Sequence, residues 1–348
     1  MNELRTMRAT STSILQGEPV PVRNPGFKLL FTLVRLGIGI GLLVYLAKSG
    51  IIDLYTLPKL ATAWPVTVGA IALLIFDVFL MSLRLCWLFR PQGLHLSLPM
   101  SLQLTFVGFF FATFVPGSAG GDIAKLFYAT KENSGRKTEI MTVVIFDRLI
   151  GLFSMLLLPL LFAPMFPKLI QRVFVLRFLL FTTALLAAGM LAGFLVCLWN
   201  QSILDRLEGK SFGYRKWRSL AIRGLRTVRV YRHSPQILVS AFVASVLANL
   251  SLIGVTALGA LIMNPSALDM KMCLVIPMGY IANSLPLTPG GLGVGETAFN
   301  ALFDITGLHG GAEALLCWRI WSALVGILGL IFYLRGLRCS IIKTTGER

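Results

Sequence analysis

Six stretches of mostly apolar residues dominate the sequence, at 29–47, 64–89, 140–162, 175–199, 237–262 and 313–334. About 20 such residues are needed to carry a helix across a hydrocarbon core of roughly 30 Å, and lipid accepts only elements that satisfy their own backbone groups. The composition points the same way, with 56% hydrophobic residues, 14% charged and a mean hydropathy of +0.78, far from the globular average. The chain therefore reads as an all-α polytopic membrane protein. Residues 1–28 carry Pro19, Pro21 and Pro25 among polar side chains without an apolar run, and read as a mobile cytoplasmic tail. Residues 336–348 form a second cytoplasmic tail, and 29–335 form the membrane domain.

Two further apolar regions differ in kind. Residues 99–130 and 272–303 are each broken by a glycine-rich loop opened by proline, Pro116-Gly117-Ser118-Ala119-Gly120-Gly121-Asp122 and Pro289-Gly290-Gly291-Leu292-Gly293-Val294-Gly295-Glu296. Proline and glycine end helices, so each region is expected to form a re-entrant hairpin of two half-helices. With both hairpins re-entrant and the N-terminus inside, 22 of the 32 Lys and Arg residues lie on the cytoplasmic side and five outside. Arg35, Arg84, Arg148, Arg177 and Arg319 fall within spans. That distribution satisfies the positive-inside rule. Broken helices that nearly cross fit the hydropathy as well. The order span, span, hairpin, span then occurs twice, in halves of about 29–163 and 174–335. Three crossings per half invert the second relative to the first, as in transporters built from inverted repeats.

An ionisable group at the bilayer centre costs about 2.5–3.5 kcal/mol on insertion scales, so each such residue needs a partner or a wet cavity. Asp77 lies mid-span and is expected to be functional. Arg84, seven residues on, is expected to reach its head group to the cytoplasmic interface. Asp147 and Arg148 point about 100° apart on a helix and should find different partners. A structural ion pair and a substrate contact are equally open for them. Arg319 is expected either at the outer interface or against the second hairpin. The strongest constellation is the pair of loops ending in Asp122 and Glu296. Their half-helices would aim unbonded N–H groups and positive dipole ends into the protein, which suits an anionic head group. Helix capping by the two carboxylates is the plainer alternative.

Other chemistries fail on spacing. Gly209-Lys210-Ser211 has Leu204 where a phosphate-binding loop needs glycine. The Pro116–Gly120 run lacks the first glycine of a hydrolase elbow. Gly291-Leu292-Gly293 sits in a membrane hairpin rather than between strand and helix. His95, His233 and His309 are isolated, and the five cysteines are odd in number without metal spacing. No enzyme activity, cofactor or metal is expected. Between the halves, residues 203–232 place Trp217, Leu220, Leu225, Val228 and Tyr231 on one helical stripe, with Arg215, Arg218, Arg226 and Arg229 off it. That is an amphipathic helix for the cytoplasmic membrane surface.

Phe114-Val115-Pro116-Gly117 with Gly120-Gly121-Asp122, Asp147-Arg148 followed by Gly151, and Pro289-Gly290-Gly291-Leu292-Gly293 with Glu296 together resemble the lysylphosphatidylglycerol synthase transmembrane family, the flippase-like membrane part of the multiple peptide resistance factor proteins. The resemblance covers roughly residues 29–335. It implies translocation of a phospholipid or lipid-linked head group between leaflets of a bacterial inner membrane. Carried over by position, it singles out Gly120, Gly121, Asp122, Asp147, Arg148, Pro289, Gly290, Gly291 and Glu296; Asp77 and Arg319 join that expected substrate path on their depth alone. The bifunctional relatives carry an aminoacyl-transferase domain after the membrane part, and a stand-alone member without it is expected here.

The net charge of +17 favours anionic phospholipid over nucleic acid as partner. Self-association and contact with lipid-modifying enzymes are further expectations. Two alternatives to a flippase are an ion-coupled transporter of a small soluble anion and a non-transporting organiser of lipid-modifying enzymes. A groove opening sideways to lipid favours the flippase, and a sealed central cavity the anion transporter.

Overall fold

The computed structural model describes residues 60, 62–114, 120–131, 134–199, 229–263, 268–284, 291, 293–335 and 342–343. The expected first span, 29–47, nearly all of the amphipathic segment, and the loop residues Pro289 and Gly290 lie outside them. Ten helices follow in order: α1 Trp64–Phe89, α2 Leu98–Phe114, α3 Gly120–Lys131, α4 Lys137–Phe162, α5 Pro167–Arg172, α6 Phe174–Trp199, α7 Pro235–Met263, α8 Met272–Asn283, α9 Val294–Ile305 and α10 Gly311–Leu334. Five of them, α1, α4, α6, α7 and α10, are long and apolar enough to cross a membrane. They match the five expected spans that fall in described residues to within three residues at each end. The protein is an all-α, multi-pass membrane protein. Among the described residues the one strand pairing is a two-residue antiparallel pairing of Leu94–His95 with Ile342–Lys343.

The broken regions form two helical pairs, α2 with α3 and α8 with α9. The three arms α3, α8 and α9 have 12 residues each, about 18 Å at 1.5 Å per residue, well short of the hydrocarbon core. Small residues let the arms approach. A Cβ on Gly121 of α3 would strike the Gly108 carbonyl oxygen of α2, and one on Gly295 of α9 would strike the Asn283 amide of α8.

Helix packing is unchanged when α1–α4 are exchanged with α7–α10 in order. The equivalent helices α1 and α7 pack along each other; α2 packs on α10 as α8 packs on α4; α3 lies on α4 as α9 lies on α10. Gly69 faces Leu258 while Gly254 faces Leu73. One helix is thus read backwards against the other, so α1 and α7 are antiparallel, as an inverted repeat requires.

Loops gather at opposite ends. At one end the Arg136 guanidinium donates to the Gln92 carbonyl (3.1 Å), the Tyr231 hydroxyl donates to the Leu88 carbonyl (2.6 Å), and Lys343 pairs with Leu94. At the other, Leu308, Met272 and Leu176 share a core with Phe166 and Ile170. The described parts of the basic segments expected on one side of the membrane, around Arg90, Arg136, Tyr231 and Lys343, are therefore together at one end of the bundle.

Candidate functional site

Each hairpin presents a carboxylate at the start of its second arm. Asp122 is the third residue of α3 and Glu296 the third of α9. In both cases the span that follows turns back alongside and supplies an arginine at matching depth. Arg148 Nη1 lies 3.0 Å from Asp122 Oδ2, and Arg319 Nε lies 2.7 Å from Glu296 Oε1. Counted from the turn that joins arm and span, Asp122 and Arg148 lie about 14 and 16 Å deep, and Glu296 and Arg319 about 14 and 12 Å. Each pair thus stands about half a core thickness from the turn that joins its arm to its span.

Their surroundings differ. The side chains of Arg148 and Asp122 are 54% and 27% exposed, those of Arg319 and Glu296 19% and 0%. Arg148 shares its face of α4 with Met141, Ile145, Leu149 and Leu152, all exposed, and beside Asp122 the exposed face of α3 carries Ile123 and Phe127. These spacings form continuous stripes that meet lipid. The second pair is clamped instead. Glu296 Oε2 accepts from the Gly293 N–H (2.8 Å), closing the first turn of α9. Arg319 Nη2 donates to Asn283 Oδ1 (3.0 Å) on the other arm and to the Gly291 carbonyl (3.3 Å) in the loop. Gly291 and Gly293 have φ of 70° and 83°, a region that costs any residue with a Cβ.

The model of the family described as lysylphosphatidylglycerol synthase TM region matches residues 32–332. The chain belongs to that family. No curated protein and no solved structure matches it. The family is the membrane region associated with lipid head-group handling, so this member's role is in the membrane and concerns lipid.

The adjacent residues Asp147 and Arg148 part company. While Arg148 meets the first hairpin, Asp147 turns inward and accepts from Arg84 Nε at 2.6 Å. Arg84 also donates from Nη1 to Ser245 Oγ of α7 (2.8 Å), so one buried guanidinium ties α1, α4 and α7 together. The expectation that Arg84 reaches for the interface is corrected: its partner lies 63 residues away on a helix that sequence spacing does not bring near. Gly151, one turn beyond Asp147, leaves room for it, since a Cβ there would sit 3.0 Å from Nη1. Asn249 extends the seam by donating to Ser154 Oγ (2.7 Å).

Asp77 is 3% exposed, and its Oδ1 has no hydrogen-bond partner among the described residues. Lys125, expected among the cytoplasmic loop cations, is also buried, with its aliphatic stem across Gly108 of α2. Asn283, Ser245 and Lys125 are the residues that sequence reasoning missed. Asn283, just ahead of the second broken loop, was the one with a readable signal, an amide at membrane depth. Among the described residues no group of three or more His, Cys, Asp or Glu side chains could hold a metal ion.

Proposed function

We propose that the chain translocates a phospholipid or lipid-linked head group between leaflets, the head group passing the two loop ion pairs while its acyl chains stay in the bilayer. The observation that carries this reading is the place of Asp122 and Arg148. They stand about half a core thickness from the turn that joins arm and span, partly exposed, among side chains that face lipid. Facing hydrocarbon alone, each charge would cost about 2.5–3.5 kcal/mol. Their mutual pairing offsets part of that, and a head group arriving sideways supplies further partners. A soluble anion carrier calls for an enclosed site instead.

The sealed pair of Glu296 and Arg319 serves as the second station. Gly120, partly exposed as the first residue of α3, leaves the N–H groups of that helix start accessible to phosphate oxygens; Pro289, Gly290 and Gly291 are assigned to the path on the family resemblance alone. Asp147, held by Arg84, belongs to the scaffold that fixes Arg148 rather than to the path, and Asp77 lies off it. The preferred cargo is anionic, in keeping with the charge of +17. The loop end that gathers Arg90, Arg136 and Arg232 faces the cytoplasm of a bacterial inner membrane, by the positive-inside rule.

The experiment uses vesicles containing the full chain and phosphatidylglycerol or phosphatidylethanolamine with a fluorescent acyl chain, with outward-facing label destroyed by dithionite. The wild type should expose the inner-leaflet label. Asp122→Asn keeps the shape of the side chain and removes its charge. It should slow exchange about tenfold or more, equivalent to about 1.4 kcal/mol at the limiting barrier. Undiminished exchange by Asp122→Asn would leave Asp122 as a helix-start residue and remove the first loop from the path.

A further inference from the structure

Five buried side-chain polar atoms have no hydrogen-bond partner among the described residues: Asp77 Oδ1, Thr105 Oγ1, Trp318 Nε1, Trp321 Nε1 and Ser322 Oγ. All lie on α1, α2 and α10, three helices packed against one another. Val78, Phe106 and Trp321 belong to one cluster there, so the orphaned atoms line a single interface. Buried polar groups are ordinarily satisfied, and a group of exceptions in one place asks for a reason.

Asp77 is the member that can ionise. Ser101 Oγ donates to the Ser82 carbonyl (2.7 Å) and sets the register of antiparallel α1 and α2. Five residues back along α1 is Asp77, and four forward along α2 is Thr105, so the two face the same level. Gly108 is one turn further along α2, and the Lys125 stem crosses it from α3. Asp77 thus sits where α1 packs on α2, one turn from the place where the Lys125 stem of α3 crosses α2. The charged and titratable groups around it come from several elements. Arg84 of α1 is engaged by Asp147 and Ser245; Lys125 of α3 acts on Asp77 through its charge. Tyr280 of α8 lies within the fields of Asp77 and of Arg319 of α10, and its hydroxyl is shared with Thr256 (2.7 Å). Helices α2 and α7 contain no charged residue.

We propose that Asp77 is a proton-binding site that couples movement of the first hairpin to proton transfer across the membrane. A dry site without a partner tolerates a neutral carboxylic acid far better than an anion. Release of the proton would create a buried anion under the charges of Arg84, already engaged by Asp147, and of Lys125, on the arm that also carries Asp122. Pairing with Lys125 draws that arm towards α1, and reprotonation lets it go. One proton binds the carboxylate from one side and leaves to the other in each cycle, and no bond in the lipid is made or broken.

This rests on the translocation reading, so two measurements separate them. Infrared spectra of the full chain in vesicles at neutral pH should show a protonated-carboxyl band that is lost in Asp77→Asn and kept in Asp122→Asn. An unchanged band in Asp77→Asn overturns the site whatever transport shows. Leaflet distribution of the labelled phosphatidylglycerol and phosphatidylethanolamine is then measured across a pH difference of one unit, with the membrane potential clamped at zero. One proton per head group supports up to about a tenfold leaflet ratio. The wild type should approach it, while Asp77→Asn, which resembles the neutral acid in shape and charge, should exchange lipid but leave the leaflets even. Lys125→Met should do the same, and covers the case in which Asp77→Asn fails to fold. Wild-type exchange indifferent to the gradient overturns the coupling and leaves translocation standing. Absence of exchange for both lipids overturns translocation and its coupling together, and the infrared band still decides whether Asp77 holds a proton.

Discussion

The two hairpins use the same parts to different ends. Each opens a 12-residue second arm with a glycine and a carboxylate in its second and third positions, and each finds an arginine on the span that follows. In the first hairpin the arginine is the twelfth residue of its span, in the second the ninth. That is nearly one helical turn, and it decides what the guanidinium can reach. Arg319 is placed to hold the carboxylate, the loop carbonyl and Asn283 of the opposite arm at once. Arg148 pairs with Asp122 while more than half of its side chain stays exposed. A duplicated frame therefore holds one enclosed pair and one partly exposed pair, the asymmetry that the proposed two-step path calls for.

Stability measurements on purified protein can break that contrast. Glu296→Ala should have the largest effect, up to about 3–5 kcal/mol, because it strands a mostly buried guanidinium. Asp122→Ala should cost about 0–1 kcal/mol, as expected for a partly exposed pair. Equal losses, read from the shift in unfolding midpoint, would mean that both stations are sealed.

Asn283→Ala comes next. It removes one hydrogen bond to a charged group, worth about 1.5–3 kcal/mol, and should loosen the second loop without affecting the first. Faster hydrogen exchange at residues 291–297 with no change at 120–126 is the expected pattern. Changes in both loops would show that the hairpins are mechanically joined.

Gly121→Ala and Gly295→Ala test what the hairpins share. Each added methyl meets the opposite arm, the Gly108 carbonyl in one case and the Asn283 amide in the other. Overpacking of this kind costs about 1–3 kcal/mol, and the two losses should be similar. A silent Gly121→Ala would mean that the first hairpin already yields at its crossing.

The smallest effect on stability belongs to Asp122→Asn, within about 0.5 kcal/mol, although its exchange rate should fall most. A large shift in melting temperature would move Asp122 from the path to the frame.

Apolar length and the breaks at proline and glycine determined the membrane class, the five described spans and both broken hairpins, because lipid leaves the backbone few alternatives. Asp122 and Glu296 were legible as helix-start carboxylates for the same local reason. The partners were not. Arg84 was expected to reach for water, since its helix offers nothing nearer than Asp77 seven residues away. The fold brings Asp147 and Ser245 to it from two other helices, and a buried pair is retained because parting it costs more than holding it. Lys125 was counted among loop cations, yet Gly108 opens a place for its stem within the hairpin. Periodicity and composition report how each segment meets its solvent. Which charge meets which depends on helix register and crossing, and those are set by packing between segments far apart in the chain.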